Sequence, residues 1–264
     1  MSSEQDHAAF RRRREQSVQT AQGALALVTT AWITEPTTIE GVPGTWAPTP
    51  AGDGVALTAS AADDVTVDGR VVDGTVVVHP HDGMTPSRVR FDDTRTAFVL
   101  TRAEGVGVRV WDAESDAIAR FQGFAAYDHD PAWVLEGTFE PAASALEATV
   151  GRSQGGERVE RMAGTVHLRH DGHDLALLAL PDGDALQIVF ADATTGDETY
   201  GVGRFLFVRP RRDGSVELDL NRAVVPPCSM SDQFNCPLPP AQNRLPFAVR
   251  AGEQRPVFAE SSAT

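Results

Sequence analysis

The feature that most constrains the fold of this chain is the recurrence of Asp-Gly dipeptides between short runs of β-branched and apolar residues. Both central residues of a type I′ turn need a positive φ, and Asp-Gly meets that need at low cost. Each dipeptide therefore predicts a β-hairpin. Six of them stand at Asp68-Gly69, Asp73-Gly74, Asp82-Gly83, Asp171-Gly172, Asp182-Gly183 and Asp213-Gly214.

The runs between these turns have the composition of β-strands, and one of them is predicted over residues 117–121. Alternation of side chains is clearest at Val106, Val108 and Val110, with Arg109 on the opposite face. No helical spacers separate the runs in the middle of the chain, which excludes a parallel βαβ arrangement. We therefore predict a mainly β fold, an antiparallel sandwich or barrel with two associated β lobes, preceded by an N-terminal helix over residues 4–22.

Changes in amino-acid composition along the sequence suggest where these parts begin and end. Residues 1–40 are predicted to hold the helix and a first strand, residues 41–140 the first β lobe, and residues 157–253 the second. The Gly- and Ser-containing segment 141–156 is the predicted joint between the lobes. Residues 254–264 are predicted to be a loose tail.

The charged residues exclude several classes of function. All 23 basic residues are arginine, and 37 acidic residues bring the net charge to -14. The absence of lysine excludes Schiff-base chemistry and a Walker-type phosphate loop. So acidic a chain is expected to bind neither nucleic acid nor an anionic membrane. The arginine run at 11–14 is interpreted as part of a helix, not of an export signal, and we expect a cytoplasmic protein.

The densest group of unusual residues lies between positions 190 and 253, where a strand, a glycine turn, a second strand and a proline-rich segment follow one another. This stretch resembles the bacterial domain-of-unknown-function sixteen-eighty-four family in its actinobacterial form. The resemblance implies a shared fold and site, but no activity, because the function of that family is not established. Leu220 departs from the pattern, which usually has phenylalanine there. The matching residues are Phe190, Asp192, Thr194, Gly196, Thr199, Tyr200, Gly203, Arg204, Asp219, Asn221, Arg222, Ala223, Pro226, Pro227, Cys228, Cys236, Pro237, Pro239, Pro240, Asn243, Leu245, Gly252 and Glu253.

Arg204 is the residue of this segment that most needs an explanation, because it stands at the start of an apolar strand. A buried guanidinium requires carboxylate partners, and the candidates are Asp192, Asp219 and Glu253. One interpretation is a buried arginine–carboxylate network that orders the C-terminal segment. Complete burial of Arg204 would favour this structural account.

The other interpretation is a pocket for a small polar or anionic ligand. Arg204 would bind the ligand, Tyr200 and Asn221 would form hydrogen-bonding walls, and Asn243 would close the pocket. A pocket around Arg204 with an exposed carboxylate would favour ligand binding or catalysis.

We therefore expect a non-enzymatic ligand-binding or interaction module, and two alternatives stay open. One is an enzyme in which Asp192 or Glu253 acts as general base beside Arg204. The other is a protein–protein interaction scaffold whose signature segment is purely structural. No cofactor is predicted, since Gly201-Val202-Gly203 lacks the third glycine and the helix of a dinucleotide site.

Two further groups of residues invite a metal interpretation, and no metal site is predicted for either. Cys228 and Cys236 have seven residues between them and five prolines beside them; buried thiols are the expectation, and a disulfide and a metal site are the alternatives. His167, His170 and His173 are interpreted as a hairpin tip, where His170 and His173 face each other across Asp171-Gly172.

Overall fold

A computed structural model of the protein describes residues 4–81, 86–102 and 105–260. The chain divides into two compact units. We call residues 16–120 the inserted unit, and residues 4–15 together with 121–260 the main unit. The chain is mostly β, its sheets are antiparallel, and a helix α1 (Glu4–Val18) begins it, which confirms the predicted fold class. No helix among the described residues is long and apolar enough to cross a membrane.

The inserted unit consists of two antiparallel sheets around one hydrophobic core. The first sheet has the strand order β1-β10-β9-β8-β5-β6, and the second has the order β2-β3-β4-β7. Trp46 of the second sheet is fully buried in the core they share. The elements are β1 (Leu27–Trp32), β2 (Thr37–Ile39), β3 (Val42–Pro48), β4 (Val55–Ala59), β5 (Thr66–Val67), β6 (Arg70–Val71), β7 (Gly74–Val78), β8 (Val89–Arg90), β9 (Arg95–Arg102), β10 (Gly105–Asp112) and α2 (Asp116–Arg120).

Two of the predicted Asp-Gly hairpins fall among the described residues of this unit, and one of them forms. Asp68 and Gly69 take φ values of 53° and 78° and connect the paired strands β5 and β6. Asp73-Gly74 leads from β6 of the first sheet to β7 of the second, so the predicted hairpin there is wrong. Asp82-Gly83 lies outside the described residues.

The predicted strand over residues 117–121 is also wrong, because most of this segment is the helix α2. Ser115 precedes the helix, and its hydroxyl accepts a hydrogen bond from the Ile118 N–H at 3.3 Å. Arg120 pairs with Asp116 one turn earlier at 3.1 Å. Local side-chain bonds therefore favour a helical turn over the extended backbone that the apolar residues suggested.

The main unit is built on a six-stranded antiparallel sheet that nearly closes into a barrel. Its strand order is β16-β15-β14-β13-β12-β17, and the remaining two strands, β11 and β18, pair with each other. Ile188, Leu206 and Leu218 are among the fully buried side chains of its core. The strands are β11 (Phe121–Ala126), β12 (Val134–Gly151), β13 (Glu157–His170), β14 (His173–Asp182), β15 (Ala185–Phe190), β16 (Arg204–Val208), β17 (Ser215–Asp219) and β18 (Glu253–Phe258).

The remaining Asp-Gly dipeptides make turns in the barrel. Asp171 and Gly172 take φ values of 50° and 77° in the β13–β14 hairpin, as predicted, and His170 pairs with His173. Gly183, with a φ of 59°, begins the two-residue loop of the β14–β15 hairpin. Asp213-Gly214 turns the chain into β17, which pairs with β12, so this turn does not make the predicted hairpin.

Several boundaries differ from those expected. Residues 141–156 lie inside the main unit, where they form the second half of β12 and the turn to β13, and the two units meet in sequence at residues 120 and 121. Residues 254–258, predicted to be loose, complete β18 because Arg255 and Val257 pair with Ala125 and Gly123 of β11. Helix α1 ends at Val18, four residues earlier than expected.

Candidate functional site

Arg204 begins β16 opposite Phe190, the last residue of β15, and its side chain is completely buried. Its Nη2 donates to Asp192 Oδ2 at 2.7 Å and to the Val249 carbonyl at 2.8 Å. Its Nη1 donates to the Ala251 carbonyl, and the guanidinium lies 5.2 Å from the centre of the Phe190 ring. The guanidinium is therefore bound by the protein's own C-terminal segment.

Asp192 is as fully enclosed as its partner, and both of its carboxylate oxygens accept hydrogen bonds. Oδ2 accepts the bond from Arg204, while Oδ1 accepts from Thr194 N at 2.8 Å, from Thr194 Oγ1 at 2.6 Å and from Val249 N at 3.2 Å. A carboxylate with this many donors is held in one position. Arg204 and Asp192 together fix residues 249–251 against the end of the barrel.

Glu253 is buried at the start of β18 and reaches the N-terminal helix. Its Oε1 accepts a hydrogen bond from Arg14 Nε at 3.2 Å, and its Oε2 accepts one from Val225 N at 2.9 Å. Burial raises the pKa of this carboxyl above its ordinary value of 4.5, and the nearby Arg14 guanidinium opposes that rise. The Arg14 Nη2 also donates to the Val225 carbonyl at 3.0 Å, so helix and C-terminal segment are joined at two points.

Asn221 and Asp219 form a second buried group at the C-terminal end of β17. The Asn221 amide bonds the backbone of Asp130 in both directions, accepting from its N–H and donating to its carbonyl, each at 3.0 Å. It also donates to Asp219 Oδ1 at 3.0 Å, and Asp219 Oδ2 lies 3.1 Å from Arg222 Nε. His7 of α1 bonds the Asn221 carbonyl at 2.9 Å. These bonds tie the helix and the segment before β12 to the end of β17.

Asn243 is fully buried where strands β14 and β15 diverge. Its Nδ2 donates to the carbonyls of Leu178 and Val189 at 2.9 and 2.8 Å, and its Oδ1 accepts from Leu178 N at 2.8 Å. The side-chain amide thus bonds the backbones of both strands at a point where they do not pair with each other. Asn243 therefore has a structural role, because it links β14 to β15.

Tyr200 is half-buried, and its hydroxyl donates to the Cys228 carbonyl at 3.0 Å. Burial is the largest cause of a raised pKa for this phenol, and the neighbouring Cys228 adds to it. The hydroxyl therefore stays protonated and acts as a hydrogen-bond donor.

The seven candidate residues fall into several hydrogen-bonded groups. Among the residues that the structure describes, the Arg204 side chain bonds Asp192 and, at 3.5 Å, the Glu253 carbonyl, and the Asn221 side chain bonds Asp219. The side chains of Glu253, Asn243 and Tyr200 bond to residues outside this set. The complete burial of Arg204 is the arrangement that the structural interpretation requires.

Four rings meet at one end of the barrel, and the sequence did not indicate that all four would do so. We call them the aromatic–imidazole cluster: Trp133, His170, His173 and Phe247. The Trp133 and His170 rings are 5.3 Å apart, His170 and Phe247 are 5.0 Å apart, and His173 and Phe247 are 5.9 Å apart. Trp133 and Phe247 pack on the barrel core, yet both are only half-buried, and His173 is exposed. The facing histidines were predicted from the hairpin turn; the two aromatic residues come from distant segments and gave no local signal.

Comparisons with known proteins give a family and a similar solved structure. A family model described as "Protein of unknown function (DUF1684)" matches residues 119–254, a range that includes all seven candidate residues. No curated protein matches the chain. A similar solved structure is the solution NMR structure of the uncharacterized protein from gene locus rrnAC0354 of Haloarcula marismortui. It is 34% identical, and the match covers 51% of this chain and 77% of that one with a TM-score of 0.42.

Proposed function

The chain belongs to the DUF1684 family of proteins of unknown function, and we propose that it is a cytoplasmic, non-enzymatic ligand-binding or interaction module. One observation carries this proposal: the candidate general bases Asp192 and Glu253 are buried, whereas the aromatic–imidazole cluster is partly exposed. In this proposal the residues that match the family pattern stabilise the fold, and the binding surface is the aromatic–imidazole cluster at the end of the barrel.

The burial of the two candidate general bases argues against the enzymatic alternative. A general base must come within hydrogen-bond reach of a substrate proton. Both Asp192 oxygens accept hydrogen bonds inside the protein, from Arg204, Thr194 and Val249. Glu253 is only 4% exposed, and both of its oxygens are occupied. Neither carboxylate reaches the surface where a substrate would arrive.

The aromatic–imidazole cluster has the chemistry of a small binding surface. Mouths of β-barrels are common ligand sites, and they combine apolar walls with a few polar groups. Here the half-buried rings of Trp133 and Phe247 offer faces for stacking, and the imidazoles of His170 and His173 offer hydrogen bonds and, when protonated, positive charge. A small planar ligand that carries an anionic group fits this combination best.

The net charge of -14 disfavours two other classes of partner. A strongly acidic surface repels nucleic acid and anionic lipid. An anionic small molecule would bind only where local positive charge or hydrogen-bond donors offset that repulsion, which the two histidines supply.

Benzoate is a suitable probe because it is a small molecule that combines a planar ring with a carboxylate. We expect a titration with benzoate to shift the NMR signals of the Trp133 indole and of the His170 and His173 rings. The variant Phe247→Leu should weaken this binding. The matched control is His81→Ala, which removes an imidazole that stacks on Phe98 at 4.4 Å in the inserted unit and should change nothing.

Shifts spread evenly over the protein, or an equal effect of both variants, would overturn the proposed surface. Turnover of a substrate that Asp192→Asn abolishes in a folded protein would overturn the non-enzymatic proposal itself.

A further inference from the structure

Cys228 and Cys236 are separated by seven residues in the sequence, and they lie against each other in the main unit. The Cys228 N–H donates to Cys236 Sγ at 3.4 Å, and the two residues pack in one hydrophobic cluster. Both are free thiols. No group of three or more potential metal ligands is found in the part of the chain that the structure describes. The pair is therefore arranged for sulfur chemistry between its own members.

The surrounding segment holds the two sulfurs in place. Ser153, in the turn after β12, accepts a hydrogen bond from Cys236 N at 2.8 Å and donates its own N–H to the Cys236 carbonyl at 2.9 Å. The Tyr200 hydroxyl holds the Cys228 carbonyl. Pro227 and Pro237 flank the pair, and each fixes the φ of its own residue. The segment is therefore anchored on both sides of the pair.

The two thiols are not equivalent. Cys228 is half-buried, whereas Cys236 is 4% exposed. The hydrogen bond from Cys236 is the largest cause that lowers the pKa of Cys228, to about 7, and the hydroxyls of Ser153 and Tyr200 act in the same direction. That same hydrogen bond, together with burial, raises the pKa of Cys236. At neutral pH the thiolate therefore forms on the half-buried Cys228, whereas the buried Cys236 keeps its proton.

We propose that Cys228 and Cys236 are a peroxide-reactive dithiol, in which Cys228 reacts with a hydroperoxide and Cys236 resolves the product to a disulfide. In the first step the Cys228 thiolate attacks one peroxide oxygen. An S–O bond forms, the O–O bond breaks, and the leaving oxygen takes up a proton to become water or an alcohol. In the second step the Cys236 sulfur attacks the Cys228 sulfur of this sulfenic acid. The S–S bond forms, the S–O bond breaks, and the hydroxide leaves as water with the thiol proton.

Both cysteines fall on one tryptic peptide, which makes the reaction simple to follow. The chain has no lysine, so trypsin cuts it only after arginine, and Arg222 and Arg244 bound the peptide 223–244. After treatment of the reduced full-length protein with hydrogen peroxide, we expect this peptide to be lighter by two hydrogens and to resist alkylation until a reductant is added. At pH 7 the native protein should react faster than the chain unfolded in urea, because a larger fraction of its Cys228 is thiolate.

Two single variants separate the roles. Cys236→Ser should stop at the sulfenic acid, which dimedone traps on Cys228, whereas Cys228→Ser should form neither a disulfide nor a dimedone adduct. Circular dichroism confirms that each variant is folded. The proposal is overturned if the wild-type protein accumulates sulfenic acid without a disulfide, if Cys236 reacts first, or if the native protein reacts no faster than the unfolded chain.

Discussion

Arg204 and Asp192 form an ion pair that is closed to solvent on every side, with Nη2 and Oδ2 at 2.7 Å and both side chains 0% exposed. Burying two charges is costly, and a buried pair persists only where further hydrogen bonds satisfy the remaining donors and acceptors. Here Thr194, Val249 and Ala251 supply such bonds, while the Arg204 Nε has no partner among the described residues. The pair therefore acts as the point where the C-terminal segment is fastened to the barrel.

Replacing one member of this pair should destabilise the protein severely. Arg204→Met leaves the Asp192 carboxylate buried without its cation, and we expect a loss of about 3–5 kcal/mol in the free energy of unfolding. Urea denaturation measures this loss. The matched control is Arg209→Met, just after the same strand, which breaks the 70% and 82% exposed Arg209–Asp184 pair and should cost less than about 1 kcal/mol. Equal losses for both variants would show that enclosure adds nothing to the Arg204 pair.

Asn243→Leu should be destabilising although it makes the core more apolar. The change leaves the buried carbonyls of Leu178 and Val189 and the Leu178 N–H without their side-chain partner, and each such group costs about 1–3 kcal/mol. We expect a clear fall in melting temperature. The adjacent Gln242→Ala removes one exposed bond to the Ala176 carbonyl and should leave the melting temperature almost unchanged. A stabilised leucine variant would contradict the bridging role.

The pH dependence of stability should reveal Glu253. Because its pKa in the folded protein is raised above 4.5, the native state binds more protons than the unfolded state between 4.5 and that raised pKa. The stability that Glu253 contributes therefore falls as the pH rises through this window. We expect the difference in melting temperature between the wild type and Glu253→Gln to decrease over the same range.

Glu198 supplies a control of opposite sign. Arg250 is the main cause that lowers the pKa of its carboxyl below 4.5, so its contribution is present above pH 4.5 and is lost as the pH falls below it. The difference between the wild type and Glu198→Gln should therefore increase with pH. Parallel curves for the two variants would contradict the assignment for Glu253.

Two neighbouring glycines should tolerate alanine very differently. Gly203 has a φ of +95°, and a Cβ there would lie 2.5 Å from the Phe190 carbonyl oxygen and 2.8 Å from Pro239 Cγ. At Gly201 the nearest atom would be 3.9 Å away. We expect Gly203→Ala to lose more than about 2 kcal/mol and Gly201→Ala to lose almost nothing, both measured by urea denaturation. A tolerated alanine at 203 would mean that the turn into β16 can be rebuilt.

Local sequence signals predicted the β class of the fold because the turns are encoded by adjacent residues. Asp68-Gly69 and Asp171-Gly172 take the left-handed conformation that their chemistry favours. Asp73-Gly74 shows the limit of such signals, since a glycine that permits a positive φ does not determine which sheet the next strand joins. That choice depends on contacts between distant parts of the chain.

The same distinction applies to the candidate site. The sequence indicated that Arg204 needs a carboxylate, and Asp192, twelve residues earlier, is its partner. Nothing in the sequence indicated that Glu253 would bond to Arg14, 239 residues away, or that Trp133 would lie beside Phe247. These contacts exist only once the barrel has formed, and they decide which candidates are buried.

The hydrogen bonds from Arg14 of α1 to Val225 and Glu253 also determine the order in which parts of the protein can fold during synthesis. Arg14 leaves the ribosome 211 residues before Val225 and 239 residues before Glu253. All of the inserted unit emerges in between, and its strands pair only with one another among the described residues. The inserted unit can therefore fold while translation continues, whereas the first helix must wait for the last strand. A chain that stops before residue 253 would keep the inserted unit and leave the helix without the carboxylate that receives it.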